Sequence, residues 1–364
     1  MLTRFQPNWV HSPAEIVDDI ITLKGIDTSL LNDDLSKKIL GRKLVIDTDI
    51  ASQLSELLGG KEDYWINLQT SFEENLSRIE NTNVDSNFCD FHDLVKQMKN
   101  KKWLPESKYE YLDQLSFKHF FGFSDYESLS EEKIYIYSLG SQYKGIGNYE
   151  ANTLNLATLM RKAELEANLK GIENNFNKVI FKEKLQEIKL LSKRKKWSNF
   201  SSELARICSE CGVAVVYLEA LKGSPIRGVS KFIDNKGLIV ITNKYNKDNL
   251  FWQTFFHEAA HLILHQNQML HLDCGDYLEY SPENDIEREA DEFMVSQLLY
   301  PYTLEEIRMK IDSKAIYKSK LSSWKNICGV SKEVNISPSL LVGILKFTRD
   351  IEYRFFNDRH KSIS

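Results

Sequence analysis

The feature that most constrains the fold is a change in hydrophobic periodicity after Gly212. Before this residue, apolar side chains recur at helical spacing. After it, the stretches 213–221, 227–233 and 237–245 are rich in β-branched and aromatic residues and are separated by turn sequences. A segment without a helix breaker, residues 248–265, follows the last stretch. The pattern predicts an α+β fold that is mainly helical, with one short sheet and a long helix directly after it.

The part of the chain before Gly212 divides at a polar stretch, NTNVDSN, at residues 81–87. Amphipathic stripes at helical spacing precede it, at 16–23, 50–58 and 65–79. A chain of 364 residues is long enough for two or three compact units. We therefore predict three parts: an N-terminal helical domain over 1–85, a helical connecting region over 86–200 and a C-terminal domain over 201–364.

Composition and charge exclude several classes of protein. A formal net charge of -5 gives no general attraction to nucleic acid or to anionic membranes. The five cysteines are scattered and odd in number, which argues against a disulfide framework and indicates a reducing compartment. The lone CxxC of Cys208 and Cys211 lacks the second pair of a zinc ribbon, so we interpret both as core cysteines. We interpret the basic run at 193–196 as a solvated face.

The sequence also predicts a cytoplasmic location without membrane contact. The N-terminal residues lack the unbroken apolar segment of a secretory signal. No apolar run approaches the roughly 20 residues that are needed to cross a bilayer.

Two histidines in the long helix point to a metal. His257 and His261 are four residues apart, so their imidazoles lie on one face and can take two corners of a tetrahedral site. Glu258 follows the first histidine directly, where it can act as a general base toward water. His265 lies one turn further on, and we interpret it as a residue that supports a ligand or packs beside it.

A catalytic zinc needs a third protein ligand. We expect it on a helix that Ser281 caps, that begins at Pro282 and that ends before Pro301. Glu289 stands beside the small Ala290 at the border of the apolar side of this helix, and it is our first choice. Other side chains also compete for the position, namely Asp285, Asp291 and His271. Three further acidic residues are predicted to be more solvated, namely Glu283, Glu287 and Glu292.

The segments FWQTFFHEAAHLILH and EREADEFMVSQLLYP resemble the ImmA/IrrE family of bacterial metallopeptidases. The resemblance implies a small zincin-like domain, one Zn2+ per chain, Glu289 as the third ligand and Glu258 as the general base. It also implies that the substrate is a regulatory protein, such as a repressor or a toxin-antitoxin partner, which is cut in response to stress or phage. Tyr300 and Arg227 are candidates for stabilising the oxyanion.

The N-terminal part is similar to the HigA-type antitoxin helix-turn-helix, through SPAEIVDDIITLKG, ILGRKLVIDTDIASQLSELLG and EDYWINLQTSFE. The N-terminal part departs from this family at one place. The segment IDTSLLNDDLSKK is about six residues shorter than expected, which is too short for two full helices and a turn. Between Ser12 and Glu80 there are also 14 acidic residues against 7 basic ones, the wrong balance for a surface that meets phosphates. We infer a degenerate helix-turn-helix for which DNA binding is disfavoured.

Two other functions stay open at this point. The chain could be a HigA-like antitoxin and transcriptional repressor whose metal domain is a sensor, and binding to operator DNA that weakens steeply with salt would favour this reading. Alternatively, it could be a metal-stabilised scaffold without turnover, which acts through protein contacts alone. The sequence leaves a homodimer open as well.

Overall fold

A computed structural model of the chain describes most of the sequence. The described residues are 11–26, 33–40, 44–80, 86–107, 109–124, 129–130, 134, 150–194, 196–224, 226–244, 246–265, 270–273, 285–311 and 320–363. Contacts divide the chain into two compact units, with the boundary between Tyr137 and Ser138. Among the described residues, no helix is both long enough and apolar enough to cross a bilayer.

The first unit is helical throughout its described residues. Its elements are α1 (Pro13–Lys24), α2 (Asp33–Leu40), α3 (Thr48–Leu58), α4 (Glu62–Glu80), a 3-10 turn (Ser86–Phe91), α5 (His92–Asn100) and α6 (Glu110–Phe121). The three stripes read from the sequence are confirmed as α1, α3 and α4. Residues 27–32 and 41–43 lie outside the described residues, so the degenerate helix-turn-helix stays a prediction.

Local signals fix the ends of these helices. Ser12 accepts a hydrogen bond from the Glu15 backbone while Glu15 accepts one from the Ser12 backbone, the reciprocal capping box that begins α1. Gly25 ends the same helix with φ 61, a left-handed conformation in which glycine is free of the Cβ clash. The apolar faces of α1, α2, α3 and α4 then share one buried core.

The second unit contains helices before and after a single sheet. Its elements are α7 (Glu150–Leu169), α8 (Lys178–Leu190), a 3-10 turn (Leu191–Lys193), α9 (Trp197–Glu210), β1 (Val213–Leu218), β2 (Gly228–Ile233), β3 (Lys236–Thr242), α10 (Asp248–Leu264), β4 (Leu270–Asp273), α11 (Asp285–Leu299), α12 (Leu304–Lys310), α13 (Lys320–Val334), α14 (Pro338–Phe347) and a 3-10 turn (Asn357–Arg359). The mainly helical fold with a small sheet is as predicted.

The sheet has the order β1-β3-β2-β4. β1 and β3 are parallel, whereas β2 is antiparallel to both β3 and β4. Asp234 and Asn235 have positive φ in the tight turn between β2 and β3, which matches the right-handed twist of the hairpin. The three predicted strands are confirmed. The fourth strand, β4, was missed because it is only four residues long and is defined by pairing with a distant strand.

The helix α10 is buried over almost its whole length because it packs on β2 and β3 and is covered by α11 and α14. Its side chains Phe255 and Phe256 share one core with Phe181 of α8 and Phe200 of α9. The helices α8 and α9 therefore belong to the same compact unit as the sheet. The sequence analysis assigned α8 and the first residues of α9 to the connecting region, and the rest of α9 to the C-terminal domain.

The cysteines of the CxxC lie in the same core, as predicted. Cys208 is at the end of α9 and Cys211 follows it, and both thiols are free and buried. Burial raises the pKa of both thiols, so neither has the thiolate character of a reactive cysteine or a zinc ligand.

Candidate metal centre

The two histidines of α10 lie one turn apart and face α11. Both rings are buried, and the His261 side chain is only 1% exposed. The Nε2 atoms of His257 and His261 are 3.0 Å apart, with ring centroids 4.7 Å apart. The helical spacing read from the sequence therefore brings two metal-binding nitrogens to one point.

A carboxylate of α11 completes a triangle with these nitrogens. Glu287 Oε2 lies 3.1 Å from His257 Nε2 and 3.6 Å from His261 Nε2. In a tetrahedral zinc site with bonds of about 2.0–2.1 Å, ligand atoms are about 3.3 Å apart. The three edges of the triangle bracket this separation, so His257, His261 and Glu287 fit a zinc ion.

The structure differs from the sequence analysis in the identity of this carboxylate. Glu289, the predicted third ligand, is 57% exposed and contacts His265 instead. Successive residues of a helix are rotated by about 100°, so neighbours on one face are three or four positions apart. Glu287 precedes the buried Ala290 by three positions and shares its face, whereas Glu289 is its direct neighbour and points elsewhere. Closeness to Ala290 in sequence was therefore the wrong criterion.

Asp291, which competed for the metal in the sequence analysis, supports a ligand instead. Its Oδ1 lies 2.9 Å from His257 Nδ1. A carboxylate only accepts hydrogen bonds, so Nδ1 of His257 carries the proton and donates it. In the neutral ring, Nε2 then presents its lone pair to the position between His261 and Glu287.

His265 lies at the C-terminal end of α10 and contacts the other ligand ring. Its Nδ1 is 3.1 Å from His261 Nδ1, and its Nε2 is 3.0 Å from Glu289 Oε2. The His265 side chain is 8% exposed and therefore enclosed, whereas its partner Glu289 is at the surface. Glu289, His265 and His261 thus form a continuous chain of contacts.

Glu258 faces the sheet and is fully buried. Ser230 of β2 donates a hydrogen bond of 2.7 Å from its hydroxyl to Oε2 of this carboxylate. A Cβ added to Gly228 of the same strand would lie 2.6 Å from Glu258 Oε1 and 2.4 Å from Thr254 Cγ2. The strand therefore approaches the helix at a residue without a side chain, and this approach fixes the carboxylate.

The roles of Ser230 and Gly228 were missed in the sequence analysis. A glycine inside a predicted strand is a known signal of close backbone approach, and Gly228 was such a residue. No comparable signal marked Ser230, because only the packing of β2 against α10 brings its hydroxyl to Glu258.

Burial and hydrogen bonding favour the protonation states that bind metal. Burial lowers the pKa of His261, although Glu287 opposes the shift. For Glu287, burial alone would raise the pKa, but the neighbouring imidazoles of His257 and His261 hold the pKa well below its ordinary value. At neutral pH the site therefore offers a neutral imidazole and an ionised carboxylate.

The remaining candidates lie elsewhere or outside the described residues. Tyr300 is half-exposed beyond the end of α11, in the wall of a cavity of about 740 Å³ that Asp291 also lines. Arg227 is buried beside β2 and lines a small cavity with Thr254. An oxyanion role for either side chain stays a prediction. Asp285 and Glu292 are both exposed, and Asp285 pairs with Arg288. His271 lies in β4. Ser281, Pro282 and Glu283 lie outside the described residues.

No protein-family model and no curated protein matches the chain.

Proposed function

We propose that the chain is a zinc-dependent endopeptidase of the ImmA/IrrE type. In this proposal His257, His261 and Glu287 hold the metal, and Glu258 is the general base. The observation that supports it best is the triangle of two imidazole nitrogens and one carboxylate oxygen, with edges of 3.0, 3.1 and 3.6 Å. A divalent cation among these three atoms would give each of them a partner of opposite charge.

The donor set alone does not choose the metal, since two imidazoles and one carboxylate also suit ferrous iron. Glu258 favours hydrolysis. It lies next to a ligand histidine on the same helix, is enclosed between α10 and β2, and is held by Ser230. A fixed carboxylate beside a metal-binding imidazole is the arrangement that hydrolytic zinc sites use.

The residues of the chain have separate tasks in this proposal. A bound zinc ion would supply Lewis acidity, which would polarise a peptide carbonyl and lower the pKa of a water molecule toward neutrality. Glu258 receives the proton of the attacking water and passes it to the leaving amine. Ser230 keeps the Glu258 carboxylate in one orientation, and Asp291 keeps the proton of His257 on Nδ1.

The substrate class follows from the resemblance rather than from the site. It is a regulatory protein, such as a repressor or a toxin-antitoxin partner, and the first unit would recognise this partner or a signal. The acidic balance of residues 12–80 fits protein recognition better than DNA binding.

The test is the substitution Glu258→Gln, since glutamine keeps an oxygen that can accept from Ser230 but cannot take a proton. Parent and variant are co-expressed with the proteins of neighbouring genes, and fragments are identified by mass spectrometry. We expect the variant to retain about one zinc per chain while cleavage falls by about 10²–10⁴-fold, the range for loss of a general base. Glu292→Gln, an exposed change on α11, is the control. Equal cleavage by Glu258→Gln and parent would exclude the mechanism.

A further inference from the structure

The two ligand rings are supported by different groups. His257 donates from Nδ1 directly to the Asp291 carboxylate, at 2.9 Å. Nδ1 of His261 instead faces Nδ1 of His265, at 3.1 Å. The carboxylate lies one step further away, because Glu289 contacts the other nitrogen of His265 at 3.0 Å.

We propose that His265 and Glu289 are positioning residues that keep the proton of His261 on Nδ1, so that its Nε2 presents a lone pair to Glu287 and the metal. The consequence for zinc binding rests on the proposed metal site, whereas the proton position is a property of the chain itself. Glu289, the ligand expected from the sequence, would then act on the metal site indirectly, through His265.

The direction of the hydrogen bonds follows from the contacts. The Glu289 carboxylate only accepts, so Nε2 of His265 carries a proton and donates it. Nδ1 of a neutral His265 is then an acceptor, and the proton on the Nδ1–Nδ1 contact must belong to His261. If His265 donated to His261 instead, His265 would carry a proton on both nitrogens and would be a cation in an enclosed position. The proton of His261 would then be on Nε2, which faces the other ligand atoms.

The exposure of the His265 and Glu289 side chains predicts how much each contributes to positioning His261. The His265 side chain is 8% exposed, so its contact with His261 is shielded from water. Glu289 is 57% exposed, and water can replace much of what its carboxylate does. We therefore expect loss of His265 to matter more than loss of Glu289. Asp291, at 19% exposure, should matter as much as His265.

The direct test is nitrogen NMR of the full chain with 15N-labelled histidine, with and without zinc. The proposal expects the proton on Nδ1 of His261 and a scalar coupling across the hydrogen bond between the Nδ1 atoms of His261 and His265. Signals are assigned with the His265→Asn variant. A proton on Nε2 of His261 in the metal-free protein, or the absence of any coupling to His265, would overturn the proposal.

The second test is zinc affinity, measured by competition with a chromophoric chelator. His265→Leu removes the acceptor and should weaken binding by about 10-fold or more, the range for residues that support a ligand. His265→Asn places an oxygen near the position of Nδ1 and should restore most of this affinity. Glu289→Gln should cost only about 2- to 5-fold, and Glu292→Gln, an exposed glutamate on the same helix, should cost nothing measurable.

The outcomes separate this proposal from the proposed function. Equal affinities for His265→Leu and His265→Asn would show that His265 acts by packing alone, and would overturn the positioning role even if the chain cleaves protein. A confirmed Nδ1 proton with no peptidase activity would leave the positioning role intact and count against the enzyme.

Discussion

The two ends of α10 carry buried polar groups of opposite character. At its C-terminal half, Nε2 of His257, Nε2 of His261 and Oε2 of Glu287 lie within 3.0–3.6 Å of one another. At its N-terminal end, Asp248 joins a second buried network with Ser339 of α14, and there donors meet acceptors.

The N-terminal network is a chain of hydrogen bonds. Ser339 donates from its hydroxyl to Asp248 Oδ1 at 2.7 Å and lies 3.0 Å from His360 Nδ1. Lys346 Nζ lies 3.2 Å from His360 Nε2 and donates to Asn357 Oδ1 at 2.7 Å. A neutral His360 with its proton on Nδ1 satisfies both of its contacts, because it donates to Ser339 and accepts from Lys346.

A structural network and a candidate binding site differ in whether their buried polar groups satisfy one another. Buried polar groups stabilise a fold when each has a partner of the opposite kind. The Asp248 network pairs donors with acceptors among its own residues, whereas the atoms of the His257 triangle are the ligands of the proposed metal. The first should therefore respond to loss of a partner through stability, and the second through metal binding.

The largest expected effect is the response of the second unit to zinc. Free zinc at about 1,000 times its dissociation constant should add about 4 kcal/mol to the free energy of unfolding. Denaturant unfolding in zinc-buffered solution and in chelator measures this difference. The gain should vanish in His261→Ala. Equal midpoints for the parent in zinc and in chelator would contradict zinc binding by the histidines of α10.

The next effect concerns the third ligand. Glu287→Gln should weaken zinc binding by more than about 100-fold, beyond the range for residues that only support a ligand. Glu289→Gln, two positions away on α11, is the matched control and should cost a few-fold. Chelator competition measures both. The reverse order would restore Glu289 as the ligand and show that the triangle is misassigned.

A smaller effect is expected at the opposite end of the helix. Ser339→Ala leaves the His360 N–H without its acceptor and should lower the free energy of unfolding by about 1–3 kcal/mol. Ser331→Ala is the control, because that buried hydroxyl donates to a carbonyl of its own helix. Denaturant unfolding measures both variants. A change in zinc affinity in Ser339→Ala would mean that the two networks are coupled.

The smallest effect is a pH dependence of stability that His360 causes. Burial, with Lys346 and Lys247 nearby, lowers the pKa of His360 to about 4 from 6.5. The unfolded state therefore binds more protons between these values, and stability falls as pH falls from 6.5 toward 4. We expect about 1–2 kcal/mol after allowing for partial exposure of the ring.

The measurement uses metal-free protein in chelator, so that loss of zinc in acid does not contribute. His360→Asn keeps a donor to Ser339 without a group that titrates in this range. The fall in unfolding free energy between pH 6.5 and 4 should be smaller in this variant than in the parent. Parallel curves for the two proteins would exclude His360 as the cause.

Much of the second unit was predictable because its signals are local. The four-residue spacing of His257 and His261 places both rings on one helical face whatever surrounds them. The strands were marked by β-branched residues and turn sequences, and the mainly helical character by apolar periodicity. The packing of α8 in the same core as the sheet is not local, and no signal in the sequence indicated it.

The sequence alone was enough to predict which helix carries the histidine pair and that a carboxylate from a later helix should meet it. The packing of the helices was needed to bring Glu287 to the two Nε2 atoms, Asp291 to His257 and Glu289 to His265. The rotation of α11 against α10 makes this choice. It turns the face that carries Glu287 and Asp291, which are four positions apart, toward His257, and it leaves Glu289, two positions from each, beside His265. The sum of apolar contacts along both helices fixes that rotation, and no single residue encodes it.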